Sequence, residues 1–191
     1  IGDRIEALTM IMAAALSVKN EVRIMGFNPE YLGDALNVLK SMNVNMELLG
    51  KDGVVVKPSI DLKPVQVVTK PYPGFPTDAQ AQLVSLCLKA KGESSIEETI
   101  FENRFMHVPE LVRMNAKLTI KGNKVTIEGG HPLVAAPVMC TDLRASAALV
   151  LASMIAKGST HIGRVYHLDR GYDSLEKKLS SIGAKIERVK E

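Results

Sequence analysis

A chain of 191 residues, 46% hydrophobic and 24% charged, is long enough to bury a sizeable core in one domain or two small ones. Its net charge of +3 is too small, and its Lys and Arg too scattered, for a nucleic-acid-binding protein. Cys87 and Cys140 sit in apolar surroundings without CxxC spacing, and the longest apolar run, 145–156, falls short of the ~18–20 residues that span a bilayer. The expectation is two buried thiols in a cytoplasmic protein that binds neither membrane nor nucleic acid.

The chain begins with Ile1 rather than Met, which predicts further sequence upstream. Asp3 opens a helix over 5–16, a β-rich run follows at 22–25, and a second, amphipathic helix ends near Asn43. A hairpin over 45–49 and 54–57 turns at Asp52-Gly53. After a strand at 65–69 comes Lys70-Pro71-Tyr72-Pro73-Gly74-Phe75-Pro76-Thr77-Asp78, predicted to be extended and stiff because proline fixes φ and keeps its predecessor out of helix. It delivers Asp78 to the start of a helix over 79–91, as a cap or as a carboxylate placed for chemistry. A β-run at 95–100, a turn carrying Arg104, a helix ending near Asn115, and a hairpin over 117–121 and 124–128 complete the middle of the chain. The last third reads as a strand at 137–141, Asp142 opening a helix over 143–157, and a β-run at 160–165. A turn carrying Arg170, a helix ending near Gly183 and a strand at 185–189 close it.

This order repeats. Leu39, Leu111 and Leu179 stand 72 and then 68 residues apart in matching contexts, giving a single domain over 1–191 with repeats of approximately 1–58, 59–133 and 134–191. One helix of each pair is apolar nearly all round and must be buried; the other is amphipathic. Buried helices with sheets outside are an α/β architecture turned inside out. The first repeat lacks an opening strand and the last has one closing strand, so two strands are missing and leave unpaired edges.

Repeats expose the residues that differ. Arg104 and Arg170 occupy equivalent turns where the first repeat has none; each has local acids to pair with, Glu102 or Glu110 and Asp169 or Asp173 respectively. Arg144 lies in the first turn of a helix, against the dipole unless an anion is near. The four histidines, His107, His131, His161 and His167, have no metal-ligand spacing, and there is no Gly-rich phosphate loop. The ligand suggested is anionic and met by arginines.

Gly74-Phe75-Pro76-Thr77-Asp78, Phe101-Glu102-Asn103-Arg104-Phe105, Thr141-Asp142-Leu143-Arg144-Ala145-Ser146 and Tyr166-His167-Leu168-Asp169-Arg170-Gly171 together resemble the enolpyruvyl transferase family, in its C-terminal domain. The resemblance covers essentially the whole chain, on the branch that uses UDP-N-acetylglucosamine. It implies an inside-out α/β barrel of three βαβαββ units. It also implies a reaction: enolpyruvate moves from phosphoenolpyruvate to the sugar 3′-hydroxyl by addition and elimination, releasing phosphate, at the first committed step of peptidoglycan synthesis. Carried over, Asp78 is the base at the reacting hydroxyl and the Ile100 backbone binds the same substrate. Arg170 serves phosphoenolpyruvate, and Arg144, Arg104, Asp142 and Asp169, with Phe101, support the site. No cofactor or metal is implied. The family's proton-donating cysteine lies in an N-terminal half absent here, and neither Cys87 nor Cys140 takes that role. The chain alone is therefore expected to be inactive. The alternative is a non-catalytic binding or regulatory module that retains the fold.

Overall fold

The Asn/Gly signal that closes each amphipathic helix is where local chemistry is most decisive. In the computed structural model, which describes residues 2–17, 19 and 21–189, Asn43, Asn115 and Gly183 adopt φ of 62°, 70° and 100°. The next amide in each copy turns back onto the helix: Val44 to the Leu39 carbonyl (3.0 Å), Ala116 to Leu111 (3.1 Å) and Ala184 to Leu179 (3.0 Å). This double-bonded left-handed ending satisfies carbonyls the helix would leave unpaired, and Asn and Gly tolerate it best. Ile1, on which the expectation of upstream sequence rests, lies outside the described residues.

The elements run α1 (Arg4–Ser17), β1 (Val22–Met25), α2 (Asp34–Ser41), β2 (Met46–Leu48) and β3 (Gly53–Val56) in the first unit. The second has β4 (Gln66–Val68), α3 (Gln80–Cys87), β5 (Gly92–Glu97), α4 (His107–Arg113), β6 (Lys117–Lys121) and β7 (Lys124–Gly129). The third has β8 (Val138–Met139), α5 (Leu143–Ser153), β9 (Ile162–Gly163) and α6 (Leu175–Ser181). The middle unit is the fullest, with sheet order β4-β5-β7-β6, β4 parallel to β5 and the rest antiparallel. The first sheet is β1-β3-β2 and the third is the parallel pair β8-β9.

Helices α1, α3 and α5 pack on one another at the centre, as their all-round apolarity predicts. Every residue of α3 is buried, as are residues 7–16 of α1 and 145–152 of α5. Two polar groups tie these helices together. Ser85 Oγ donates to the Ala148 carbonyl (2.7 Å), and Lys89 Nζ donates to the Ala15 and Leu16 carbonyls (3.1 and 2.7 Å). The ammonium so caps the negative end of α1, and burial pushes its pKa down. Helices α2, α4 and α6 bury one face each, through Ala35 and Leu39, Val108 and Leu111, and Leu175 and Leu179.

Two expectations need correction. Residues 185–189 form no strand, because among the described residues no neighbouring strand offers them a ladder. The third unit therefore keeps neither closing strand, and the open edge at β1 is the one the sequence predicts. The β-run expected at 95–100 sits earlier, at Gly92–Glu97, which turns 98–105 into a loop.

A Cβ added at Gly183 would meet nothing within 4 Å, so any cost of substitution there is conformational. Gly183→Ala is expected to lower stability by about 1 kcal/mol in urea denaturation, the penalty of a left-handed alanine. An unchanged midpoint would contradict the left-handed ending.

Candidate functional site

The proline-rich stretch is stiff, but it is a turn rather than an extended arm. The Gly74 amide bonds to the Pro71 carbonyl (2.8 Å) and Lys70 to Phe75 (3.0 Å), closing the loop on itself above a fully buried Phe75. The Tyr72-Pro73 peptide is cis. The Pro73 carbonyl accepts from the Asp34 amide at the start of α2 (2.7 Å), and Arg4 lies over the Tyr72 ring at 4.9 Å. Gly33, with φ of 57°, makes that docking possible: a Cβ there would stand 2.4 Å from the Pro73 oxygen. Contacts with two other elements hold the loop, where rigidity was expected from proline alone.

The loop delivers Asp78 into a 3₁₀ turn, Thr77–Ala79, ahead of α3. Here the three equivalent aspartates part company. Asp3 Oδ1 accepts from the Ile5 and Glu6 amides (2.7 and 3.3 Å), and Asp142 Oδ1 accepts from Arg144 and Ala145 (2.9 and 3.1 Å). Asp78 caps nothing: Ala79 holds the N-cap position of α3, without a side-chain bond. The tighter 3₁₀ turn places the Asp78 side chain inside the turn instead of before it. Its carboxylate is taken by Arg144 of the third unit, with Nε at 2.7 Å and Nη2 at 2.6 Å, both to Oδ1. Arg104 Nη1 stands at 3.7 Å from the same oxygen. Oδ2 has no partner among the described residues, and the side chain is 47% exposed. The arginine set against the α5 dipole thus has its anion.

Arg104 ignores Glu102 and Glu110, the pairings its local sequence offers. Its guanidinium stacks on Phe101 at 4.1 Å. Burial, then Arg144, pull its pKa below the ordinary value, while Asp78, Glu98 and Asp142 pull it back. Arg104, Ile100 and Phe101 line a cleft of about 890 Å³ that also takes in Glu98, Asn123 and Ile120. Asp78 and Arg144 line a smaller one of about 180 Å³ with Asp3, Glu6 and Tyr172. The Ile100 amide donates to Glu98 Oε1 (2.8 Å), so that N–H is committed within the protein.

Asp169 and Arg170 make no ion pair with this group, although the next residue, Gly171, lines the smaller cleft with Asp78 and Arg144. Arg170 is exposed at the end of the 3₁₀ turn Val165–Arg170 and has no ion-pair partner among the described residues. Asp169 pairs with Arg188 through two bonds of 3.0 and 2.6 Å, which hold its carboxyl below the usual range. The structure brings together Asp78, Arg144, Arg104 and Phe101, with Asp142 capping α5 beside them, but not Asp169.

Two groups went unread in the sequence. Glu98 is buried at 3% exposure and bridges both walls of the site. Beneath Asp78, Thr9 of α1, Gln82 of α3 and Tyr172 of the third unit meet in a buried network. Gln82 Nε2 lies 3.2 Å from Thr9 Oγ1 and 3.1 Å from both Tyr172 Oη and the Asp78 carbonyl. The signal was available: polar side chains in helices buried on all sides must find partners. Cys87 is buried with its pKa raised to about 12, and burial lowers His107 to about 4, leaving it neutral. Among the described residues no helix is long and apolar enough to cross a membrane.

Comparison with known proteins gives this geometry a context. The family model described as EPSP synthase (3-phosphoshikimate 1-carboxyvinyltransferase) matches residues 1–179. The UDP-N-acetylglucosamine 1-carboxyvinyltransferase of Pelagibacter ubique is 50% identical over 98% of this chain and 44% of its own length. That of Geobacter metallireducens is 52% identical over 99% and 45%. The chain therefore spans under half the length of these relatives. Among solved structures, the enolpyruvyl transferase NikO from Streptomyces tendae superposes with a TM-score of 0.89 at 31% identity, over 97% of this chain and 44% of that one. EPSP synthase from Acinetobacter baumannii shares the fold at a TM-score of 0.77 and 18% identity, over 97% of this chain and 46% of its own. The chain belongs to the EPSP synthase family of enolpyruvyl transferases.

Proposed function

We propose that this chain is the C-terminal half of a cytoplasmic transferase that moves enolpyruvate from phosphoenolpyruvate to the 3′-hydroxyl of UDP-N-acetylglucosamine, at the first committed step of peptidoglycan synthesis. On this reading the approximate repeats 1–58, 59–133 and 134–191 form one domain, and the other half of the site comes from an N-terminal domain of the same protein. The observation that carries the reading is the Asp78 carboxylate, released from capping, fixed through Oδ1 by Arg144, and open at Oδ2. The names of the relatives at about half identity support the choice of sugar nucleotide.

The chemistry follows from the charges. Oδ2 of Asp78 takes the 3′-hydroxyl proton as the sugar oxygen adds to C2 of phosphoenolpyruvate. A proton from an acid on the other half goes to C3, giving a tetrahedral ketal. Loss of that C3 proton and of phosphate then restores the vinyl group on the sugar oxygen. Holding one carboxylate oxygen on Arg144 aims the other, so little orientational freedom is lost on binding. Arg104 and Arg170 supply planar, doubly donating cations for a phosphate and a carboxylate. Fixed cations stabilise charge that develops in the ketal without having to reorganise. Ile100 contributes through its backbone, with its N–H already engaged by Glu98.

In the full-length protein Asp78→Asn is expected to lower kcat by at least ~10²-fold, the usual worth of a positioned base, with the melting temperature nearly unchanged. A variant that mainly loses stability would return Asp78 to a structural role. Arg170→Ala is expected to raise KM for phosphoenolpyruvate far more than KM for the sugar nucleotide; unchanged kinetics would remove it from the site. The 191 residues alone are expected to release no phosphate from the two substrates, and appreciable turnover would contradict the half-site reading.

A further inference from the structure

Glu98 lies just past the end of β5, between an exposed loop and the core, and only 3% of it reaches solvent. A carboxylate so buried needs donors, and four reach it. Oε1 accepts from Thr69 Oγ1 (2.8 Å), the Ile100 amide (2.8 Å) and the Phe101 amide (3.2 Å). Oε2 accepts from Thr77 Oγ1 (2.7 Å). Thr69 Oγ1 in turn accepts from the Thr99 amide (2.9 Å), and the Glu98 carbonyl accepts from Asn123 Nδ2 (3.0 Å). One side chain thereby fastens the end of β4, the proline-rich loop one residue before Asp78, and the loop that carries Ile100, Phe101 and Arg104.

We propose that Glu98 is a positioning residue. It locks the Thr77–Asp78 turn and the Ile100–Phe101 loop into one fixed arrangement, so that the base and the cleft wall present themselves to the substrate as a single rigid unit. This rests on the transferase reading for its kinetic consequences but not for its structural ones. Among the described residues the two loops are otherwise linked by side chains through the long Arg104–Asp78 pair at 3.7 Å; Thr77 is held by its hydroxyl, and the Ile100 and Phe101 amides lie outside any ladder. Removing the carboxylate leaves four donors unpaired at a buried point, and both loops lose their common reference. Its negative charge also acts on Arg104, the cation that closes the same cleft.

The test uses the full-length protein and two pairs of variants. Glu98→Ala removes every acceptor. Glu98→Gln keeps an oxygen for the Ile100 and Phe101 amides and turns its NH₂ toward the Thr77 hydroxyl, which can accept. Thr77→Val cuts only the link to the proline-rich loop, and Thr77→Ser restores it. Hydrogen exchange is expected to speed at the Ile100 and Phe101 amides by at least ~10²-fold in Glu98→Ala, while the Ser95 and Ile96 amides of β5 stay protected. In Thr77→Val the two loop amides should keep their protection while kcat falls about tenfold with little change in KM, the signature of a misplaced base. Thr77→Ser should recover most of that loss, and Glu98→Gln should retain at least ~10-fold more kcat than Glu98→Ala. Unchanged exchange in Glu98→Ala, or full kcat in Thr77→Val, would overturn the proposal. If the wild-type protein shows no enolpyruvyl transfer, the functional reading fails, and the exchange comparison still decides whether Glu98 fastens the two loops. If Glu98→Ala does not fold, Thr77→Val and Thr77→Ser carry the decision.

Discussion

Three helices buried on every side have nowhere to place their polar ends except against one another, and the site grows from that constraint. At one end of the core Lys89, just after α3, closes the carbonyls of α1. At the other, the starts of α1 and α5 and the turn before α3 line one small cleft with Asp3, Asp78 and Arg144. Amide ends gathered this way carry partial positive charge and favour anions. Two of the three starts satisfy themselves with an aspartate cap. The third does not, and its aspartate faces an arginine from a different unit instead.

Divergence among the repeats is what turns a symmetric core into an asymmetric site. The first unit has a plain turn where the second and third carry Arg104 and Arg170. Only the second precedes its helix with a proline-rich loop, which docks on α2 through Pro73 and on Glu98 through Thr77. The network of Thr9, Gln82 and Tyr172 joins all three units directly beneath Asp78. A change in packing between units would therefore reach the carboxylate through Gln82 as well as through Arg144. A buried network of this kind favours one arrangement of a core, although Gln82 Oε1 finds no hydrogen-bond partner among the described residues.

What the sequence made legible was what local chemistry decides. The endings at Asn43, Asn115 and Gly183, the Gly122-Asn123 hairpin and the all-round burial of three helices need only neighbouring residues and period to be seen. The 185–189 segment has the alternation of a strand, but a strand exists only with a partner, and none lies beside it among the described residues. The sequence offers Asp78 as a cap, as a carboxylate placed for chemistry, or as both; the 3₁₀ turn after Pro76 rotates it away from the cap position, a difference of one residue in where the helix begins. Glu98 hid beside a half-buried acid, Glu97, and its importance depends on donors from segments such as Thr69, 29 positions away. Arg104 had two acids close in sequence and took a distant one, because burial against Phe101 aims it into the site.

The central claim is that Asp78 is shared between a structural partner and a reacting one, with Oδ1 on Arg144 and Oδ2 left for the substrate. A structure of the full-length protein with UDP-N-acetylglucosamine and an unreactive phosphoenolpyruvate analogue tests this most directly. The account predicts the sugar 3′-hydroxyl about 3 Å from Asp78 Oδ2, within reach for proton transfer, while Arg144 remains on Oδ1. A 3′-hydroxyl bonded to a different residue, with Asp78 turned onto the amides of α3 as a helix cap, would contradict it.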